Sequence, residues 1–316
     1  MVKIAIAGGS GNVGQEITDV LVASKKHEVV ILSRKDAPAG TSGVTWVKTD
    51  YSDTKQLTQL LRGVHTVLSF IIEQEDVESP SQKRLIDASV NAGVKRFAPS
   101  EWAASTFEHL PWYSYKTTIR TYLAELNKER KVLEYTLFHP GLFVNYLTRP
   151  YPSSKHLHQV EFPIDLYNRR AILAEGVEDA KLALITVQDF AAVVARALEY
   201  EGEWPVISGV QGDLLTLREV IAIGEKARGG APFTLYKFSK ADLEAGTWQP
   251  SWVPKIDHPS IPPEQVEPMS KLVSAGMSLG LLEGAFRASD EWNRILADFR
   301  FVKAGEFLED AWRGKD

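Results

Sequence analysis

The sequence predicts an α/β protein: a doubly wound parallel sheet joined to a second, smaller C-terminal region. Three observations predict it. Short apolar, β-branched runs alternate with amphipathic helical patterns through the first half of the chain. A glycine-rich turn, Gly8-Gly9-Ser10-Gly11-Asn12-Val13-Gly14, joins the first run to the first helical pattern. From Leu147 onward the alternation gives way to prolines, aromatics and histidines.

The strand-like runs are Val2–Ala7, Glu28–Leu32, Val44–Val47, Val64–Phe70, Lys95–Ala98 and Glu134–Phe138. Near-continuous apolar runs of this kind suit parallel strands covered on both faces. Helical patterns occupy Val13–Ser24, Thr54–Leu61, Ser81–Ala92 and Tyr113–Arg130; only the second and third strands lack a helix between them. Past Leu147 the segment holding Pro150, Tyr151, Pro152, His156, His158 and Pro163 breaks the rhythm. It returns with strand Leu182–Val187 and helix Gln188–Glu199, then strand Pro205–Ser208 and helix Thr216–Lys226. The proline-rich stretch Trp248–Pro268 reads as a long loop or lid. The C-terminal third is expected to lie over the mouth of the sheet.

Composition sets outer bounds. The 316 residues are 44% apolar and 24% charged, an ordinary globular balance. The absence of cysteine excludes disulfides, thiolate metal sites and cysteine nucleophiles. A net charge of −5 gives no electrostatic match to nucleic acid. No apolar stretch approaches a membrane span. The apolar start MVKIAIA runs straight into glycines and reads as a first strand rather than a signal peptide. A cytoplasmic protein is expected, with neither nucleic acid nor membrane as partner, as a monomer or homodimer.

The glycine turn carries the first functional signal. Gly8, Gly11 and Gly14 have GxxGxxG spacing. One glycine turns the chain from strand into helix, one admits a pyrophosphate to the helix N-terminus, and one lets helix and strand pack closely. Gly8, Ser10, Gly11, Asn12, Val13 and Gly14 are therefore candidate cofactor contacts in a Rossmann fold. Arg34 stands twenty residues after Gly14, about where an NAD-binding chain carries an acid for the ribose hydroxyls. Arg34 and Lys35 instead favour a 2′-phosphate, and hence NADPH. Asp36 is the competing acid, but it follows the start of the turn. Asp50, past the third strand, is a candidate for the adenine edge or, equally, a helix cap before Thr54. On this basis residues 1–146 form the NADP-binding domain and 181–210 return to it. Residues 147–180 and 211–316 form the smaller substrate-binding region.

GGSGNVG, Leu32-Ser33-Arg34 and Arg96-Phe97-Ala98-Pro99-Ser100-Glu101-Trp102 together resemble the atypical short-chain dehydrogenases. More narrowly they resemble the NmrA-like and isoflavone-reductase-like group, in its fungal branch. The resemblance covers nearly the whole chain and weakens after about Glu199. It implies NADPH binding and reduction of a small phenolic, aromatic or polyketide-like substrate at a C=C, C=O or benzylic ether position. Other members of the group bind dinucleotide as sensors without known turnover. By the same resemblance Pro99, Ser100 and Glu101 line the nicotinamide end, Phe70 stacks near the nicotinamide ribose, and Lys116 stands beside the cofactor. His139-Pro140-Gly141 borders the substrate site. In the wider superfamily a tyrosine precedes the lysine by four residues; here that position is Trp112. Tyr113 and Tyr115 lack the spacing that would place them on the lysine's helical face.

The residues themselves leave Lys116 with two readings. The stripe Tyr115, Ile119, Tyr122, Leu123 and Leu126 puts Lys116 at the edge of a buried face. There it either snorkels to water or serves as a cation that bonds the ribose and delivers a proton. His139 ends the sixth strand at the carboxyl edge and is the second catalytic candidate, or a structural histidine. Phe143, Tyr146, Tyr151, Trp248 and Trp252 are candidates to wall an apolar pocket. The histidines show no metal-ligand spacing. An NADPH-dependent reductase is expected; a non-catalytic NADP(H) sensor is the alternative.

Overall fold

The structure is a computed structural model that describes residues 1–256 and 261–315. The first half forms β1 (Lys3–Ala7), α1 (Asn12–Ser24), β2 (Glu28–Ser33), β3 (Thr45–Lys48), α2 (Thr54–Leu60), β4 (Thr66–Ser69), α3 (Pro80–Ala92), β5 (Arg96–Ala98), α4 (Ser114–Leu126) and β6 (Glu134–Tyr135). The six strands pair in the order β3-β2-β1-β4-β5-β6, all parallel. Chain order reverses between β1 and β4. In open α/β sheets a ligand crevice lies outside the carboxyl ends of the strands at such a reversal. The segment Ile4–Ala7 is fully buried, as are Leu57, Val67, Leu85, Phe97 and Ile119 from the surrounding elements. The continuous apolar runs thus pack against helices.

The later elements are β7 (Leu137–His139), β8 (Leu142–Phe143), β9 (Ile164–Asp165), β10 (Arg170–Ala174), β11 (Lys181–Ile185), α5 (Val187–Glu199), β12 (Ile207–Gly209), β13 (Asp213–Thr216), α6 (Leu217–Ala227), β14 (Thr234–Phe238), α7 (Lys240–Ala245), α8 (Val266–Leu282), α9 (Glu291–Ile295) and α10 (Ala304–Trp312). They form two three-stranded sheets, β14-β10-β9 and β13-β11-β8, while β12 pairs with β7. By internal contacts the chain divides into a first unit of Met1–Trp102, Trp112–Phe138 and Phe190–Ser208, and a second of Ala103–Pro111, His139–Asp189 and Gly209–Asp316. Of the 181–210 stretch, Phe190–Ser208 lies in the first unit. β11 lies in the second, where it hydrogen-bonds β8 and β13. The second unit holds more of the chain than the first, because Ala103–Pro111 and the segment from His139 belong to it.

Three expectations need correction. The sixth run is two strands rather than one. The break falls at Thr136, whose N–H bonds Phe97 while its hydroxyl turns to the Pro205 carbonyl and to Ser208. The fourth helix ends at Leu126, not Arg130. There the Asn127 side chain accepts the Val132 and Leu133 N–H groups and donates to the Leu133 carbonyl, closing a turn. The stretch Trp248–Pro268 is not loop throughout: α8 opens at Val266, and Pro268 sits in its first turn, where no N–H is needed. Residues 257–260 of that stretch lie outside the described residues. Trp248 is buried edge-on against Phe238, and Trp252 carries the Arg170 guanidinium 3.8 Å from its ring centre. Both tryptophans therefore anchor their segment to the sheet of the second unit.

No helix of the described residues is long and apolar enough to cross a membrane. Among those residues no group of three or more His, Cys, Asp or Glu side chains could hold a metal ion.

Candidate active site

The glycine-rich loop Gly8–Gly14 leads from the end of β1 into the first turn of α1. Gly8 has φ +73°, and a β-carbon there would come within 2.9 Å of the Phe70 backbone. A left-handed turn against neighbouring backbone admits only glycine. A β-carbon on Gly14 would meet the Gly9 Cα at 3.1 Å and the Phe70 ring at 3.4 Å, so α1 packs closely on the strand ends. Gly11 differs: it is exposed, has φ −80°, and a β-carbon would meet only the Gly8 oxygen at 3.4 Å. It caps α1 with no side-chain bond, and the first turn carries no acid. The helix therefore presents its leading N–H groups and positive dipole end to open space, the arrangement that binds a phosphate.

Beside the loop, the end of β2 supplies cations. Arg34 and Lys35 are both exposed. Asp36 is engaged elsewhere, accepting Lys48 Nζ at 2.9 Å, so the competing acid is neutralised. Ser33 Oγ donates to Ser10 Oγ at 3.3 Å and accepts the Lys35 N–H, tying strand end to loop. Arg34, Lys48, Thr49, Asp50, Ser52, Asp53 and Gln56 line an open hollow of about 360 Å³. The cap of α2 is Asp53, which accepts the Lys55 and Gln56 N–H groups. Asp50 instead lines the hollow and accepts both the N–H and the hydroxyl of Ser52, bonds that hold its carboxyl below the usual range.

A second cluster gathers at the ends of β4 and β5 and on α4. Phe70 stacks on Trp102 at 4.5 Å and 10°, and Trp102 stacks in turn on Phe138 at 5.3 Å. The Trp102 indole N–H bonds the Ser69 carbonyl at 2.6 Å. Lys116 is 4% exposed, so it does not snorkel. Its Nζ donates to the Ser100 and Glu101 carbonyls at 2.5 and 2.6 Å and lies 4.7 Å from the Tyr113 ring centre. Burial lowers its pKa to about 8; the Glu101 charge opposes the shift and Arg120 adds to it. The buried Glu101 carboxylate is held by Arg120 at 2.5–3.2 Å. Tyr113 and Tyr115 both have pKa values raised by burial, which makes either a weak proton donor.

Several participants escaped the sequence reading. Gln82 is buried; its Oε1 accepts the Ser100 N–H at 2.7 Å, and its Nε2 finds no partner among the described residues. Glu73 accepts the Ser79 hydroxyl and the Ser81 and Gln82 N–H groups, serving as a remote cap for α3. Burial opposes ionisation of Glu73, but these bonds outweigh it and lower its pKa. Tyr51 bonds Gly8 and Leu32 from inside the sheet end. Arg120, four residues after Lys116 on one helical face, is the one that spacing could have revealed.

Gly8–Gly14, Arg34, Lys35, Asp50, Phe70, Pro99, Ser100, Glu101 and Lys116 all belong to the first unit. His139 belongs to the second, where it is 2% exposed and its carbonyl accepts the Val210 N–H at 3.2 Å.

The model of the NmrA-like family matches residues 2–243. The chain belongs to the NmrA-like family. Among curated relatives of this NmrA-like protein is "Oxidoreductase BOA1" of Botryotinia fuckeliana, 33% identical over 234 residues, covering 72% of this chain and 77% of the relative. Among solved structures, the Escherichia coli NADPH-dependent quinone oxidoreductase QOR2 complexed with NADPH superposes with a TM-score of 0.66 at 21% identity, over 97% of this chain and 99% of that one. A structure of isoflavone reductase gives a TM-score of 0.68 at 19% identity, over 98% of both chains. These likenesses support the fold: a Rossmann-like α/β domain built on a six-stranded parallel sheet.

Proposed function

We propose that this NmrA-like protein is an NADPH-dependent reductase of a small aromatic, phenolic or polyketide-like molecule, acting at a C=C, C=O or benzylic ether carbon. It is an NADP-dependent oxidoreductase, in keeping with its oxidoreductase relatives and the NADPH-bound neighbour. The observation that carries the finer reading is Lys116, a buried ammonium held on the carbonyls of Ser100 and Glu101, the two residues that precede Trp102 of the Phe70–Trp102 stack. A sensor needs no proton donor there.

The residues fit the cofactor. The open Gly11 edge of the loop leaves room for pyrophosphate, and Arg34 and Lys35 present positive charge for the 2′-phosphate. Asp50 stands in the hollow for the adenine edge. Bound NADPH supplies a hydride. Lys116 supplies the matching proton from Nζ and regains it from water, so the substrate gains two hydrogens and the lysine returns to its starting state. Phe70, Pro99, Ser100 and Glu101 line the nicotinamide end. The test is NADPH consumption, followed with product identification, against phenolic enones, quinones and aromatic ketones. Saturable binding without consumption by any of them would favour the sensor.

Two expectations follow from the site. Arg34→Ala weakens NADPH binding and leaves NADH nearly unchanged. A bond to a charged group is worth about 1.5–3 kcal/mol, and the exposure of Arg34 places the loss near the lower end, roughly tenfold. Parallel calorimetric titrations check it; equal losses for both cofactors would remove Arg34 from the 2′-phosphate site. The second concerns pH. An acid must be protonated to act, and the Lys116 pKa is lowered to about 8. Turnover is therefore full below that value and falls as pH rises through about 8. A pH–rate profile flat to pH 10 would contradict the assignment.

A further inference from the structure

Tyr51 sits where the ends of three strands meet. The residue follows β3 and is 1% exposed. Its hydroxyl donates to the Leu32 carbonyl at 2.6 Å and accepts the Gly8 N–H at 3.0 Å, while the Gly8 N–H also bonds Leu32 O at 2.9 Å. One phenol thus spans the first residue of the phosphate loop and the residue two before Arg34. Asp50, in the hollow, is its immediate neighbour in the chain.

The backbone there is costly. Tyr51 has φ +64°, a left-handed conformation that residues other than Gly and Asn rarely adopt. Two contacts hold it. Arg84 Nε donates to the Tyr51 carbonyl at 2.8 Å, and the Tyr51 N–H reaches Thr49 Oγ1 at 3.3 Å. Strain of this kind persists only where the surroundings over-determine it, and here the residue is buried with its hydroxyl at the root of the loop. A buried hydroxyl serves only as a hydrogen-bonding link here, since burial pushes its pKa up to about 12 and keeps it protonated.

We propose that Tyr51 is a positioning residue for the dinucleotide: its hydroxyl fixes the phosphate loop against the end of β2, so that the loop N–H groups and the strand-end cations face one ligand together. The proposal rests on the Gly8–Gly14 loop being the NADPH site. It names a determinant of affinity shared by all dinucleotides, because the hydroxyl touches the root of the pyrophosphate loop and not the 2′-phosphate cations.

The test is Tyr51→Phe, which keeps the ring and removes the link. NADPH and NADH dissociation constants, turnover at saturating NADPH, substrate KM and melting temperature are measured on the full chain. Tyr51→Phe removes both hydrogen bonds of the hydroxyl, and both dissociation constants are expected to rise by the same factor, about three- to tenfold, the part of their contribution that reaches the bound ligand. Turnover at saturation and substrate KM are expected to stay close to those of the parent, while the melting temperature falls modestly, because the same two bonds hold the unliganded loop. Arg84→Met, which frees the Tyr51 backbone without touching the hydroxyl, is expected to move both constants in the same direction by less. Unchanged cofactor affinities in Tyr51→Phe, with the parent binding NADPH normally, would overturn the positioning role and leave the cofactor site standing. So would a lowered melting temperature with unchanged affinities, the mark of a merely structural tyrosine. A parent that binds neither cofactor would overturn the site and the proposal together.

Discussion

Gly11→Val is expected to abolish NADPH binding while the protein stays folded. The two halves of that expectation rest on different observations. A β-carbon at Gly11 meets nothing nearer than the Gly8 oxygen at 3.4 Å, and its φ of −80° suits any residue, so the folded chain tolerates the change. The valine methyls would then stand over the N-terminal end of α1, the place that a pyrophosphate must approach within hydrogen-bond range. Gly8→Val is the contrasting variant. At φ +73°, and 2.9 Å from the Phe70 backbone, a β-carbon disrupts the strand end itself, and that variant is expected to lose stability as well as binding. Calorimetry with NADPH, beside a thermal melt, separates the two. Unchanged affinity in the Gly11 variant would mean that the loop binds no dinucleotide.

Lys116→Ala is expected to lower turnover by about 10²–10⁴-fold, the usual contribution of a placed general acid. Hydride delivery to a carbonyl or conjugated carbon leaves negative charge on the substrate, and the neighbouring groups cannot easily neutralise it. Trp112 keeps its indole proton, and Tyr113 and Tyr115 have pKa values raised by burial. Lys116, with its pKa lowered to about 8, gives up a proton far more readily than an ordinary lysine. Lys116→Arg is also expected to be poor, because guanidinium does not release its proton near neutral pH. NADPH affinity is expected to change less than turnover if the ribose contact is secondary. The alanine variant leaves the Ser100 and Glu101 carbonyls without their donor, so a thermal melt accompanies the kinetics. Turnover at the parent rate with normal cofactor binding would remove Lys116 as the acid.

Much of the first unit is legible because its cause is local and periodic. The run at Ile4–Ala7 is fully buried, and unbroken apolarity is what a strand between two helical layers requires. The glycine motif works through backbone φ and close approach, both fixed by residue type. Lys116 marks the limit of such reasoning. Helical spacing puts it at the edge of an apolar stripe, where burial and snorkelling are equally compatible with the pattern; the carbonyls that hold it come from residues fifteen and sixteen positions away. Tyr51 was missed for the same reason, since its partner Gly8 is 43 residues distant and no motif records a hydroxyl placed by tertiary packing. The split of the sixth strand and the early end of the fourth helix turn on single polar side chains, Thr136 and Asn127, whose bonds compete with continuation of the element.

The most direct test of the reductase reading is transfer of deuterium from NADPH labelled at C4 of the nicotinamide, in both stereoisomers, to the phenolic enone, quinone and ketone panel, followed by mass spectrometry of the products. One labelled stereoisomer is expected to deliver deuterium to a single carbon of at least one substrate class, with one NADPH consumed per product and with the transfer lost in Lys116→Ala. Saturable NADPH binding with no deuterium in any product would contradict a reductase and leave a dinucleotide-binding sensor.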